Sequence, residues 1–233
     1  MYSRLLAENL PRVRERIAQA ADRGGRDPAS VRLVAVTKGH PLEALQAALE
    51  AGIRDLGENR LGELEEKRAA LGEDTPAIWH MIGHLQRRKA PGVRPMAHLL
   101  HSLDSLKLAQ RLERTAPEGT APLPVLLQVN TSGEEAKYGF SPEAYRDQVG
   151  EVLSLPSLKV EGLMTMAPFT EDEGVLRATF RGLRELHEET LSAHPEYQGA
   201  ELSMGMSNDF ELAVEEGSTL VRLGTVLLGE RPS

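Results

Sequence analysis

The chain has 233 residues, of which 40% are hydrophobic and none is cysteine. Thiol catalysis, disulfides and thiolate metal sites are therefore excluded. A formal net charge of −8 argues against a nucleic-acid binder, because neutralising phosphates needs a basic surface.

Apolar residues recur at helical spacing from Ser3 to about Ala21 (Leu5, Leu6, Leu10, Val13, Ile17), with Pro11 as an expected kink or break. Charges interrupt every apolar run there, so the segment has no signal-peptide core. No stretch approaches the roughly 20 apolar residues of a membrane helix. A cytoplasmic protein is expected.

Gly24-Gly25 and Asp27-Pro28 close this helix, and a strand over 32–37 follows. The same alternation then repeats. A helix over 42–51 leads to a strand over 53–57, then a helix to about residue 71 and a strand over 78–82. A basic helix containing Arg87, Arg88 and Lys89 precedes a strand over 98–102. Asp104 is expected to cap a helix to about residue 114, before a strand over 124–130. The long loop 131–140 and a helix capped by Ser141-Pro142 lead to a strand over 158–166. A helix over 175–192 and a strand over 201–204 come next. A helix starting at Ser207 or Asn208 runs to about residue 216, before a last strand over 220–223.

Strict strand–helix alternation predicts a parallel sheet with right-handed crossovers, and eight units predict a closed barrel. The expected fold is a single-domain α/β protein over 1–233, a (β/α)8 TIM barrel with one extra helix before the first strand.

In such a barrel the site lies at the carboxyl ends of the strands. Val34, Val36 and Lys38 share one strand face, which puts a lysine at the first strand's end. Either its stem packs and its ammonium reaches solvent, or it is a partly desolvated amine able to form a Schiff base. Ser207 opens the segment after strand seven. It is either an ordinary helix cap or, with Gly224 and Thr225 after strand eight, part of a phosphate cup. Arg222 shares a face with Leu220 and Gly224 and points into the barrel. It either pairs with a core carboxylate or donates to a ligand acceptor deep in the site. Asn59 stands at the end of strand two. His80 and His84 are four apart, but that spacing binds metal on a helix and here it crosses a strand end, so no metal is expected.

Several segments together resemble the pyridoxal-phosphate homeostasis protein family, the single-domain relatives of the alanine racemase N-terminal barrel domain. They are Ala35-Val36-Thr37-Lys38, Gly57-Glu58-Asn59-Arg60, Trp79 to Gln86, His101 to Ser105, Gln128 to Gly139, Gly162 to Met166, Leu202 to Phe210 and Val221 to Thr225. The chain departs from the family pattern at Gly39-His40, after the lysine, and at Tyr138, where phenylalanine is common.

The resemblance implies that Lys38 forms an aldimine with pyridoxal 5′-phosphate. It implies that Ser207, Gly224 and Thr225 hold the phosphate, that Arg222 faces the pyridine nitrogen, and that Asn59 and the backbone near Met204 to Met206 line the site. A cationic donor at the pyridine nitrogen weakens the ring as an electron sink. The expectation is a non-catalytic protein that buffers or delivers vitamin B6 cofactor, with apo pyridoxal-phosphate enzymes as recipients and a monomeric state. The alternative is a low-activity racemase of amino acids. A Schiff-base aldolase is disfavoured because its lysine usually lies on a later strand.

Overall fold

The computed structural model describes residues 1–134 and 137–231. The chain opens with helix α1, Tyr2–Arg23, whose buried residues Tyr2, Leu6, Leu10, Val13, Ile17, Ala20 and Ala21 form one stripe. Pro11 leaves it unbroken, since its side is exposed and water can satisfy the carbonyl freed by the missing N–H. The alternating units follow in order: β1 Arg32–Val36, α2 Leu42–Glu50, β2 Asp55–Glu58, α3 Leu61–Leu71, β3 Ile78–Met81, α4 Ala90–Val93, β4 Leu99–Leu103 and α5 Leu106–Arg114. The second half continues with β5 Leu123–Gln128, α6 Pro142–Leu153, β6 Leu158–Met164, α7 Glu173–Ala193, β7 Glu201–Ser203, α8 Phe210–Glu215, β8 Leu220–Leu223 and α9 Thr225–Leu228.

The eight strands pair in parallel in chain order and close into a barrel, β8 against β1 with Val34 opposite Arg222. Closure leaves no sheet edge. Outward residues such as Ala35, Leu56, Trp79, Leu100, Val125, Leu127, Leu163 and Val221 join the helices in one large core. The apolar cluster inside the barrel is smaller: Val34, Leu99, Leu126, Met164 and Leu220. At Gly162, in β6, φ is +154°, and an added Cβ would lie 1.9 Å from the Glu201 carbonyl oxygen of β7. Only glycine fits where those two strands approach. Helix α1 packs across the outside of the closure, on α2, α8 and α9.

Four local expectations need correction. Ser105, not Asp104, caps α5, its Oγ accepting from the Leu108 N–H, because the Asp104 carboxylate is engaged by His84. The helix after β7 starts at Phe210, because Ser207 lies in a turn where its hydroxyl accepts from the Gly224 and Val226 N–H groups. The basic segment 87–89 is a 3-10 turn, followed by the single turn α4. A last helical turn, α9, follows Gly224 where no element was expected. The loop 131–140 returns to the barrel, with Phe140 donating to the Gln128 carbonyl; its residues 135 and 136 lie outside the described residues.

Candidate functional site

A cavity of about 410 Å³ opens at the carboxyl ends of the strands. The structure brings Lys38, Asn59, Ser207, Arg222, Gly224 and Thr225 to its walls, together with Val36, Ile82, His84, Gln128 and Met206. Met204 is not among them. Its side chain is fully buried in the outer core, while Met206, two residues on, faces the cavity.

Lys38 follows β1 and is half-buried. Burial lowers the pKa of its amine, and the positive charges of Arg231 and Arg222 add to that against the weaker pull of Glu58 and Glu63. A lowered pKa leaves more of the amine unprotonated and nucleophilic. The loop that carries it is clamped from behind. Lys67 donates to the Thr37 carbonyl at 2.7 Å, to Glu58 Oε1 at 2.8 Å and to Glu63 Oε1 at 2.7 Å. Thr37 Oγ1 donates to the same Glu58 oxygen at 2.6 Å, and the Gly39 N–H donates to Glu63 at 2.6 Å. Glu58 has no exposed surface, and burial raises its pKa against the hydrogen bonds from Lys67 and Thr37. Sequence reasoning did not single out Lys67 or Arg231. The four-residue spacing of Glu63 and Lys67 on α3 was the available signal for the first.

Arg222 lies inside the barrel, one residue pair below Gly224. Burial pushes its pKa down to about 10, with Asp209 opposing, so it remains a cation at neutral pH. It donates to Ser203 Oγ at 2.6 Å and to the Thr165 carbonyl at 2.8 Å, and it also borders the cavity. Beside it, Asp209 Oδ1 accepts from the Met206 N–H, which fixes the turn that carries Met206 and Ser207.

Ser207 Oγ accepts from the Gly224 and Val226 N–H groups at 3.3 and 3.4 Å. These long bonds gather two backbone donors and the hydroxyls of Ser207 and Thr225 at one end of the cavity, a donor set suited to a phosphate. Asn59 lies on the cavity wall at the end of β2. An alanine Cβ at Gly83 would come 2.3 Å from the Asn59 carbonyl oxygen, so the backbones after β2 and β3 meet here only because Gly83 lacks a side chain.

His80 and His84 diverge. His80 points into the barrel, between Asp55 and His101. His84 borders the cavity, bonded to Asp104 at 2.8 Å, and stacks on Tyr138 with ring centroids 3.9 Å apart. The donor set is therefore an amine, a guanidinium, hydroxyls and backbone N–H groups. Such a set can hold a phosphate in the cup and present a partly unprotonated amine to a carbonyl carbon beside it.

Residues 9–232 match the family described as alanine racemase, N-terminal domain. The chain is similar to a pyridoxal phosphate homeostasis protein of Pseudomonas aeruginosa, 44% identical over 226 residues, covering 97% of this chain and 96% of the relative. A protein of the same name from Aquifex aeolicus is 42% identical over 226 residues, covering 96% and 97%. Among solved structures, PipY of Synechococcus elongatus with pyridoxal phosphate bound superposes with a TM-score of 0.81 at 36% identity, covering 91% of this chain and 100% of that one.

Proposed function

This chain belongs to the pyridoxal phosphate homeostasis protein family, within the wider family of alanine racemase N-terminal domains, and on that premise we propose that it binds pyridoxal 5′-phosphate reversibly as a Schiff base on Lys38. Its role is to buffer the vitamin B6 cofactor or deliver it to apo enzymes, without a turnover of its own. The observation that carries this reading is the amine of Lys38, with its pKa lowered by burial, sharing one cavity with Arg222 and the hydroxyl-lined cup.

In this reading Ser207, Thr225 and the N–H groups of Gly224 and Val226 take the phosphate, and Asn59 borders the ring. Arg222 donates to the pyridine nitrogen. When bound, the cofactor supplies an electrophilic carbon and an electron sink. A guanidinium at the ring nitrogen keeps that sink weak, because a second positive charge beside it is disfavoured. That suits holding and releasing the cofactor better than carbanion chemistry.

The test is the absorbance of the purified protein with added cofactor, before and after borohydride, beside Lys38→Ala. A visible band that reduction removes and the variant lacks is the expected result. A colourless protein that fails to take up the cofactor rejects the reading.

One observation favours the racemase alternative: His84, oriented by Asp104, borders the same cavity as Lys38 and offers a second proton acceptor. Chiral chromatography of L-alanine incubated with the loaded protein separates the two. D-isomer formed above the Lys38→Ala background favours the enzyme.

A further inference from the structure

Five strands each place one polar side chain on the inner wall of the barrel, and the five touch in series. His80 Nε2 lies 2.8 Å from Asp55 Oδ1, and His80 Nδ1 lies 2.9 Å from His101 Nε2. His101 Nδ1 is 2.9 Å from Ser203 Oγ, which accepts from Arg222 at 2.6 Å. His80, His101 and Ser203 have almost no exposed surface, at 1%, 0% and 0%. The chain therefore crosses the barrel, from Asp55 near the amino ends of the strands to Arg222 at the cavity.

Valence fixes its direction. A guanidinium can only donate, so Ser203 Oγ accepts from Arg222 and is left with its own hydrogen to give. The acceptor within reach of that hydrogen is His101 Nδ1, and the bond uses it when that nitrogen is the unprotonated one. Burial lowers the His101 pKa well below the ordinary histidine value, so the ring is neutral and carries its proton on Nε2. That proton goes to His80 Nδ1, which leaves His80 Nε2–H to donate to the Asp55 carboxylate. Every bond points from Arg222 towards Asp55.

Other charged and titratable groups surround the far end. Arg32 lies 4.0 Å from Asp55 and pairs with Glu201 at 3.0 Å. Arg32, His80, His98, Glu161 and Glu201 line a second cavity of about 300 Å³ there.

We propose that Asp55, His80, His101 and Ser203 are positioning residues for the bound ring: one polarised hydrogen-bond chain ties a carboxylate at the opposite mouth to the guanidinium that meets the ligand. The inference rests on the cofactor reading above. The chain holds the Arg222 plane in place and gives its charge a distant counter-charge, through bonds that strengthen one another in a low-dielectric interior. One extra proton at the Asp55 end would reverse the His80–His101–Ser203 bonds. Ser203 would then accept twice and give nothing back along the chain.

Two measurements on the cofactor-loaded protein test this. Nitrogen-15 NMR should find both His80 and His101 protonated on Nε2 alone at neutral pH. A proton on Nδ1 of either ring overturns the chain. The pH titration of the visible band should also respond to Asp55→Asn, which keeps an acceptor and removes the charge. Loss of a negative charge disfavours the protonated, visible form, so its midpoint moves to lower pH, by on the order of half a unit. In a Ser203→Ala background, where the chain is cut, Asp55→Asn should no longer move it. An unmoved midpoint in the single variant, or an equal shift in both backgrounds, overturns the proposal. A wild-type protein with no visible band overturns the cofactor reading instead, and the histidine tautomers then report on the chain by themselves.

Discussion

The two faces of the barrel wall are built from different alphabets. Most outward positions are aliphatic or aromatic, the buried Glu58 being an exception, and Trp79, Met81, Leu100, Leu103, Leu127 and Leu223 are buried against the helices. Inward positions carry fewer buried apolar residues, Val34, Leu99, Leu126, Met164 and Leu220 among them, and between them the polar side chains of His80, His101, Ser203 and Arg222. The outer face does the work of folding, through burial of apolar area. The inner face is relieved of that task, since closure and the outer layer already hold the strands. It can therefore carry polar groups, provided each finds a partner. Stability and ligand binding should accordingly respond to different sets of substitutions.

Trp79→Ala is the strongest way to probe the outer face. It empties a large, fully buried site, and a loss of about 3–5 kcal/mol is expected. Urea unfolding followed by circular dichroism measures it, since this is the chain's single tryptophan. Cofactor affinity should change little under native conditions. Comparable losses in both properties would break the division between the faces.

Lys67→Met probes the seam between them, because Lys67 lies outside the barrel yet steadies the loop of Lys38. Leaving Glu58 buried without its ion-pair partner should cost about 3–5 kcal/mol. The loss has a pH signature. Burial, with the Glu63 charge, is then opposed only by the Thr37 hydrogen bond, and the folded-state pKa of Glu58, already raised, goes further above the unfolded value. Such a carboxyl takes up a proton on folding, so stability drops as pH rises from the ordinary carboxylate range through the raised pKa. The deficit should be larger at about pH 8 than at about pH 5. A deficit independent of pH would mean that Glu58 finds another partner.

Ser207→Ala sharpens the comparison from the other side. It removes one hydroxyl from the proposed phosphate cup and about 1.5–3 kcal/mol of binding, a roughly 10- to 150-fold weaker cofactor affinity by titration of the visible band. The melting temperature of the cofactor-free protein should stay within about a degree of the wild type. A large drop would move Ser207 from the binding list to the folding list.

The outer face was legible in the sequence, because apolar periodicity and strict alternation report local structure and burial directly. Lys38 and Arg222 were legible as well. Strand parity puts each on an inward face, and the chain pairs Val34 with Arg222 where the barrel closes. The Met204 side chain packs outward while Met206 reaches the cavity, because both lie in the turn after β7, where strand parity no longer applies. The small helical turns failed for a similar reason, since four residues carry too little period to detect. The inner chain was not legible. His101 and Ser203 are 102 positions apart and meet across the barrel lumen, so only the closed shape makes them neighbours. The spacing of His80 and His84 suggested a pair, but strand geometry sends one inward and the other to the mouth.

Helix α1 also works as a clasp across the barrel seam. It precedes every strand, yet its Asn9 donates to the Leu227 carbonyl and its Arg16 grips Glu211, while Arg26, just beyond its end, donates to the Val214 and Ser218 carbonyls. Its apolar stripe is shared between α2, close to it in the chain, and α8 and α9, from the far end of the barrel. Contacts of such long sequence separation bind both ends of the strand order to one rod, so the seam between β8 and β1 is spanned from outside as well as by its own ladder.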